Sequence, residues 1–202
     1  MMKICSAFLV FLILSSCLYD QKEQFVSLLV PKNSIQNYRS IGDSISEVLL
    51  GALMKNINDA IKEKGETYAI EFCNLKVIEL TDSLSNRYNC IIRRVSLNNR
   101  NPGNEPFDIF EKDQLEKYES YKLKNKPLND EIRKKNDAVF YFKPIFIASE
   151  TCLKCHGEKG RDIELATEIK LYKYYPFDKA IDYKVNDLRG MWSIKFLDSI
   201  NK

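Results

Sequence analysis

Cys152-Leu153-Lys154-Cys155-His156 is the one stretch of this chain whose spacing dictates a covalent chemistry. Two thiols three residues apart can each add S–H across one vinyl group of a haem, forming two thioethers, and the adjoining imidazole then reaches the iron as proximal ligand. His156 is the chain's only histidine. A Cys-x-x-Cys also serves as a redox dithiol or as half of a zinc site, but zinc takes two further Cys or His ligands and the sequence offers no second cluster. Haem c, covalently held and one per chain, is the expectation.

With the only histidine on the proximal side, the opposite face of the iron has to be met by Met54, Met191, Cys73, Cys90, a lysine or water. Cys73 is attractive because a thiolate donates charge to iron, favours the ferric state and lowers the reduction potential relative to methionine. The rival is structural. Cys73 and Cys90 could form a disulfide in an oxidising compartment, closing a loop of roughly 17 residues for about 3 kcal/mol.

Haem attachment needs an extracytoplasmic compartment, and the N-terminus supplies the signal for one. Met1-Met2-Lys3 precedes an apolar run from Ile4 to Leu14, too short to span a membrane and of the right length for a signal peptide. Leu14-Ser15-Ser16-Cys17 resembles a bacterial lipobox. That resemblance implies cleavage after residue 16, lipidation of Cys17 and a mature chain of about 186 residues. Ordinary secretion with Cys17 as a free or paired thiol is the plainer alternative. Residues 17–33 then form a lipidated tether and residues 34–202 a single domain, large enough to fold alone. With 31 basic against 28 acidic residues, no electrostatic case exists for nucleic acid.

The elements that must position the motif read as helices first and strands later. From Ser34, Ile35, Tyr38, Ile41, Ile45, Val48, Leu49, Ala52, Ile57 and Ile61 recur at helical spacing up to Lys64-Gly65, and a helix this long could also pair with a second copy. A second helix is expected from Glu66 to about Ser85, with Ala69, Cys73, Val77, Leu80 and Leu84 as its inward row. Tyr88 to Leu97 reads as a strand, Asn98 to Asn104 as a turn, and the segment after Pro106 as a third helix to about Lys124. Asp137 to Ala148 is a strand in which Pro144 marks an edge or a bulge; it leads directly to the motif. A polar loop follows, then a final strand, Met191 to Leu197, with Trp192, Ile194 and Phe196 on one face. This order predicts an α+β fold with an antiparallel sheet, unlike the all-helical small c-type cytochromes.

Four blocks, in order, resemble a known family. They are Ala69-Ile70-Glu71-Phe72-Cys73; Arg94-Val95-Ser96 with Arg100-Asn101-Pro102-Gly103-Asn104-Glu105-Pro106; Tyr141-Phe142-Lys143-Pro144-Ile145 leading to the motif and Gly157; and Tyr175-Pro176-Phe177-Asp178-Lys179-Ala180 leading to Asp187-Leu188-Arg189-Gly190. Together they resemble the single-haem c-type proteins of PAS-like fold, long carried as a domain of unknown function, over about Ile45 to Leu197. The resemblance implies a PAS-like antiparallel sheet preceded by long N-terminal helices, with the attachment motif in the loop after a sheet strand. It also implies that iron is held by His156 and Cys73. Where relatives tend to have glycine, this chain has Asp182 before Tyr183 and Asn186 before Asp187; Asn readily takes the left-handed conformation.

Arg94, Arg100, Asn101 and Arg189 can pair with a haem propionate or another anionic ligand, or can simply hold a turn and a surface salt bridge. Arg100 and Arg189 are taken as pocket residues. Tyr175 and Tyr183 could donate to propionates or axial sulfur, or satisfy a carbonyl. The expected function is a lipid-anchored haem protein on the periplasmic face of a bacterial membrane, sensing redox state or a small ligand. No kinase or cyclase segment follows Lys202, so a signal would pass to a separate signalling protein or redox partner. The rivals are a plain electron carrier, a peroxidase-like enzyme, which lacks a distal acid/base, and a haem-free PAS-like ligand-binding module.

Overall fold

The computed structural model describes residues 35–197, and within that range the side chains of residues 72–78 also lie outside the described residues. The expected signal peptide, Cys17 and the expected tether therefore lie outside the described residues. The chain divides into two units, Met1–Asn37 and Tyr38–Lys202, and every contact given below belongs to the second.

Two helices come first. α1 (Ile35–Lys64) and α2 (Glu66–Arg87) are separated by one residue, Gly65, whose φ of 81° is left-handed backbone that glycine adopts without strain. On α1 the buried residues are Tyr38, Gly42, Ile45, Ser46, Leu49 and Ala60. The expected stripe thus holds for the first half of the helix, while Val48 is half-exposed. Gly42 is set by packing: a Cβ there would lie 2.4 Å from the Tyr141 ring, so only glycine lets α1 approach the sheet this closely.

The sheet has four antiparallel strands, β1 (Cys90–Val95), β2 (Glu131–Lys135), β3 (Ala138–Phe146) and β4 (Leu188–Phe196), in the order β1-β4-β3-β2. Strand alternation sends Cys90, Ile92, Val139, Tyr141, Trp192, Ile194 and Phe196 to one face, where they pack with Tyr38, Ile45 and Leu49 of α1 and with Leu80 and Leu84 of α2. The opposite face carries Val95, Phe140, Phe142 and Met191 and is covered by Leu115, Tyr118 and Phe110 of α3 (Ile109–Leu123). α3 starts where it does because the Asp108 carboxylate accepts the amides of Phe110 at 2.9 Å and Glu111 at 3.0 Å. The α+β class, with helices preceding an antiparallel sheet, is as the sequence predicts.

Three elements differ from the sequence reading. β2 escapes it because Glu-Ile-Arg-Lys-Lys is an edge strand, more charged than apolar, joined to β3 through Asn136 at a left-handed φ of 53°. The motif, placed in a loop by sequence, lies on a short helix, α4 (Glu150–His156). The expected polar loop after it contains α5 (Leu165–Tyr174), whose Leu165, Ile169 and Tyr172 are exposed and so give no core-facing stripe to read. Pro144 pairs with Met191 of β4 beyond the last residue that β2 covers, next to a register shift at Ile145/Phe146, so its missing N–H costs the sheet nothing.

Candidate functional site around His156

The motif helix is held by parts of the chain far from it in sequence. Ile147 exchanges backbone hydrogen bonds with Asn186 (2.8 Å) and Asp187 (2.9 Å) just before α4. Leu153 then packs with Ile147, Ala180 and Tyr183, with part-buried Cys152 alongside. At the far end of α4 the amides of Asp182 and Tyr183 donate to the carbonyls of Gly157 and His156, both at 3.0 Å, satisfying acceptors that a helix end leaves open. Asp182 and Asn186 are both left-handed, at φ 63° and 71°. Both positions thus take the conformation that glycine would supply, Asp182 included.

His156 is oriented from two sides. Its Nδ1–H donates to the carbonyl of Ala180 at 2.8 Å, and the Tyr183 ring stands edge-on at 6.2 Å between centroids. A carbonyl can only accept, so the neutral ring carries its proton on Nδ1 and its lone pair on Nε2. Burial, then the fields of Arg100 and Arg189, push the imidazole pKa well below the usual histidine value; the Ala180 bond opposes this, and Arg94 adds to it. The ring is therefore neutral, the state a metal ligand requires. Burial also raises the Cys155 thiol, against the Arg100 charge. Cys152 and Cys155 are free thiols.

Arg100 is spent on this arrangement. Its Nε donates to Asp178 Oδ2 at 2.9 Å, and its Nη2 donates to the carbonyls of Cys155 and, at 3.2 Å, of Ala180. The other Asp178 oxygen accepts the Ala180 amide at 2.8 Å. Asp178, Arg100 and Ala180 thus form a chain of bonds ending on the His156 ring, the kind of support that fixes a ligand's tautomer and orientation. Arg100, taken from sequence as a pocket residue, here bonds Asp178 and the carbonyls of Cys155 and Ala180, beside His156. Asp178 and Ala180, quoted only as part of a block, are the members it missed, because neither type signals a role until the fold brings it to His156.

Arg189 is likewise engaged. Its Nη1 donates to Ser96 Oγ (2.8 Å) and the Asn98 carbonyl (3.0 Å), and its guanidinium lies 5.5 Å from the Tyr183 ring centre. The Asn101 side chain accepts the Gly103 amide at 2.9 Å and so holds a turn. Tyr175 adjoins Arg94, on whose charge it acts.

Cys73 belongs to α2, and its side chain lies outside the described residues. The helix around it is tied to the motif region: Glu66 pairs with Lys154 of α4, and Glu71 pairs with Lys170 at 2.5 Å and with Tyr174 of α5. Cys90 is a free, buried thiol, pushed up to about 11 by burial. The unbroken helix puts Cys73 about 21 Å from Arg87, and the chain from Arg87 to Cys90 spans at most about 11 Å. A disulfide needs Cα atoms within about 7 Å, so the Cys73–Cys90 alternative is excluded in this fold. Among the described residues no group of three or more His, Cys, Asp or Glu side chains is placed to hold a metal ion, and no helix is long and apolar enough to cross a membrane.

Helices over both faces of an antiparallel sheet, with a neutral, oriented histidine and two thiols on a short helix after a central strand, define an α+β protein with one histidine-centred site. The chain belongs to the Tll0287-like family, whose pattern it matches over residues 23–196. Its fold is similar to that in the crystal structure of the cyanobacterial haem protein Tll0287, with a TM-score of 0.64 and 20% identity over 82% of this chain and 98% of that one. Among curated proteins none matches.

Proposed function

We propose that this chain is an exported, lipid-anchored c-type haem protein that senses redox state or a small ligand. The observation that carries the reading is the His156 Nδ1–H bond to Ala180, which keeps the Nε2 lone pair for iron beside two free thiols. The residues fit a haem in number and kind. Cys152 and Cys155 would hold it by thioethers, His156 would be the proximal ligand, and a porphyrin brings four nitrogens of its own where the protein supplies one. Membership of a family that includes a haem protein supports the same reading. Bound there, a haem supplies a one-electron iron centre.

Cys73 is the proposed second ligand. The family resemblance supports this, as do the contacts that tie α2 to α4 and α5. Displacement of a weak thiolate, on reduction or by a diatomic gas, would release α2 from the iron and pass a signal to a partner at the membrane. Cys17 and the apolar run before it carry the proposed lipid anchor on the periplasmic side. A plain electron carrier is the second reading, favoured by the same oriented histidine but requiring no movement of α2.

The test is to produce the mature chain with c-type maturation machinery and record absorption spectra, with and without Cys73→Ser. Wild type is expected to carry covalent haem with a thiolate-type spectrum that the mutant loses. Exported protein without covalent haem overturns the proposal. Reversible reduction without spin-state change or carbon monoxide binding selects the electron carrier.

A further inference from the structure

Arg93 and Arg94 are neighbours on β1 and project to opposite faces of the sheet. Arg93 is fully engaged: it pairs with Glu111 and donates to the carbonyls of Gly103 at 3.3 Å and Glu105 at 2.7 Å. Arg94 stands opposite Trp192, itself 2% exposed, on the face that α1 and α2 cover. It is part-buried, and among the described residues it has no hydrogen bond and no ion pair. A guanidinium taken out of water without an anion is a costly arrangement that proteins rarely keep without use.

The surroundings say what the use is. Arg94 lies two residues before Ser96, which accepts Arg189 Nη1 at 2.8 Å, and the Arg189 guanidinium lies 5.5 Å from the Tyr183 ring that stands edge-on to His156. Arg100 already holds Asp178, Cys155 and Ala180, and Arg189 already holds Ser96 and Asn98. Arg94 alone of the three keeps its whole donor fork, on the side of the sheet where α2 carries Cys73. α2 also meets the motif helix through Glu66 and Lys154, and meets α5 through Glu71 with Lys170 and Tyr174, next to the Tyr175 that acts on the Arg94 charge. A haem carries two carboxylates, and a guanidinium fork matches a carboxylate bidentately.

Resting on the haem reading above, we infer that Arg94 receives a propionate of the haem, and that Arg100 and Arg189 position the proximal side instead. A cation beside the iron favours the ferrous state, and a paired propionate stays ionised to low pH.

The experiment compares haem-loaded wild type with Arg94→Met and Arg94→Lys, by spectroelectrochemistry across pH and by resonance Raman of the propionate bending modes. Arg94→Met is expected to lower the reduction potential, to make it pH-dependent where the freed propionate titrates, and to shift one propionate mode. Arg94→Lys should restore the potential but not the mode, because an ammonium cannot form the fork. If the Met variant does not fold, the Lys variant decides: an unmoved propionate mode overturns the assignment. So does an Arg94-dependent response of the wild-type spectrum to added acetate with unchanged propionate modes, which would make the ligand a soluble anion. Wild type lacking covalent haem overturns the haem reading and this assignment together, whereas haem-loaded wild type with unmoved variants overturns this assignment alone.

Discussion

On the α3 face of the sheet, Arg93 meets a carboxylate that is itself fully used. Glu111 is 4% exposed and accepts from Arg93, from Ser193 Oγ at 2.7 Å and from the Phe107 amide at 2.7 Å. On the α1/α2 face, one residue further along the same strand, Arg94 has no such partner. The first face is electrostatically finished by the polypeptide itself. Near the motif, Arg100 is committed to Asp178 and Arg189 to Ser96 and Asn98, while Arg94 remains open. Buried charge that a chain completes from its own residues stabilises the fold, and buried charge that it leaves open marks where something else belongs.

Three substitutions break this comparison at different points. The largest effect is expected from Glu111→Ala, which strands Arg93, Ser193 and the Phe107 amide together. Losing one partner of a buried pair typically costs about 3–5 kcal/mol, and urea denaturation should show that loss with or without haem. A loss under 1 kcal/mol would mean that Arg93 reaches water and that the two faces are alike. Asp178→Asn comes next. It removes the charge that holds Arg100, whose side chain is 14% exposed in a pair with a 10% exposed partner, at a cost of about 2 kcal/mol. Because the disturbance travels through Ala180 to His156, the haem absorption spectrum should change along with stability; an unchanged spectrum would break the chain of bonds proposed here. The smallest effect is expected for Asp182→Gly. The left-handed φ of 63° costs an L-residue about 1 kcal/mol and glycine nothing, while glycine adds unfolded-state entropy of similar size. Thermal unfolding should therefore stay within about 1 kcal/mol of wild type, and Asp182→Val should fall well below both.

Where an element carries a repeating apolar stripe, its sequence announces it. Tyr38, Ile45 and Leu49 place α1, and Trp192, Ile194 and Phe196 place β4, because burial on one face imposes a period. β2 and α5 have no such imprint: one is a charged edge strand, and the other leaves most of its apolar residues in water. The site divides in the same manner. Cys152, Cys155 and His156 can be grouped from the sequence because they are neighbours along it and share one short helix. Asp178 and Ala180 cannot, since their roles depend on a backbone carbonyl and a carboxylate arriving together from a distant segment. Arg94 is written plainly in the sequence, but its open fork appears only once Arg93 on one side and Arg100 and Arg189 on the other are seen to be taken.

The strand at the centre of the sheet is also the last to be made. β4 lies between β1 and β3, so β1 gains its strand partner only when the C-terminal strand arrives, from Cys90 opposite Phe196 to Val95 opposite Met191. Contacts this distant close slowly. A chain emerging from its N-terminal end exposes Cys152 and Cys155 while the sheet is still open, and the segment from Ala180 to Asp187 that clamps the motif helix follows them. On the haem proposal, this order would leave the thiols open to a bulky planar group before β4 closes the sheet.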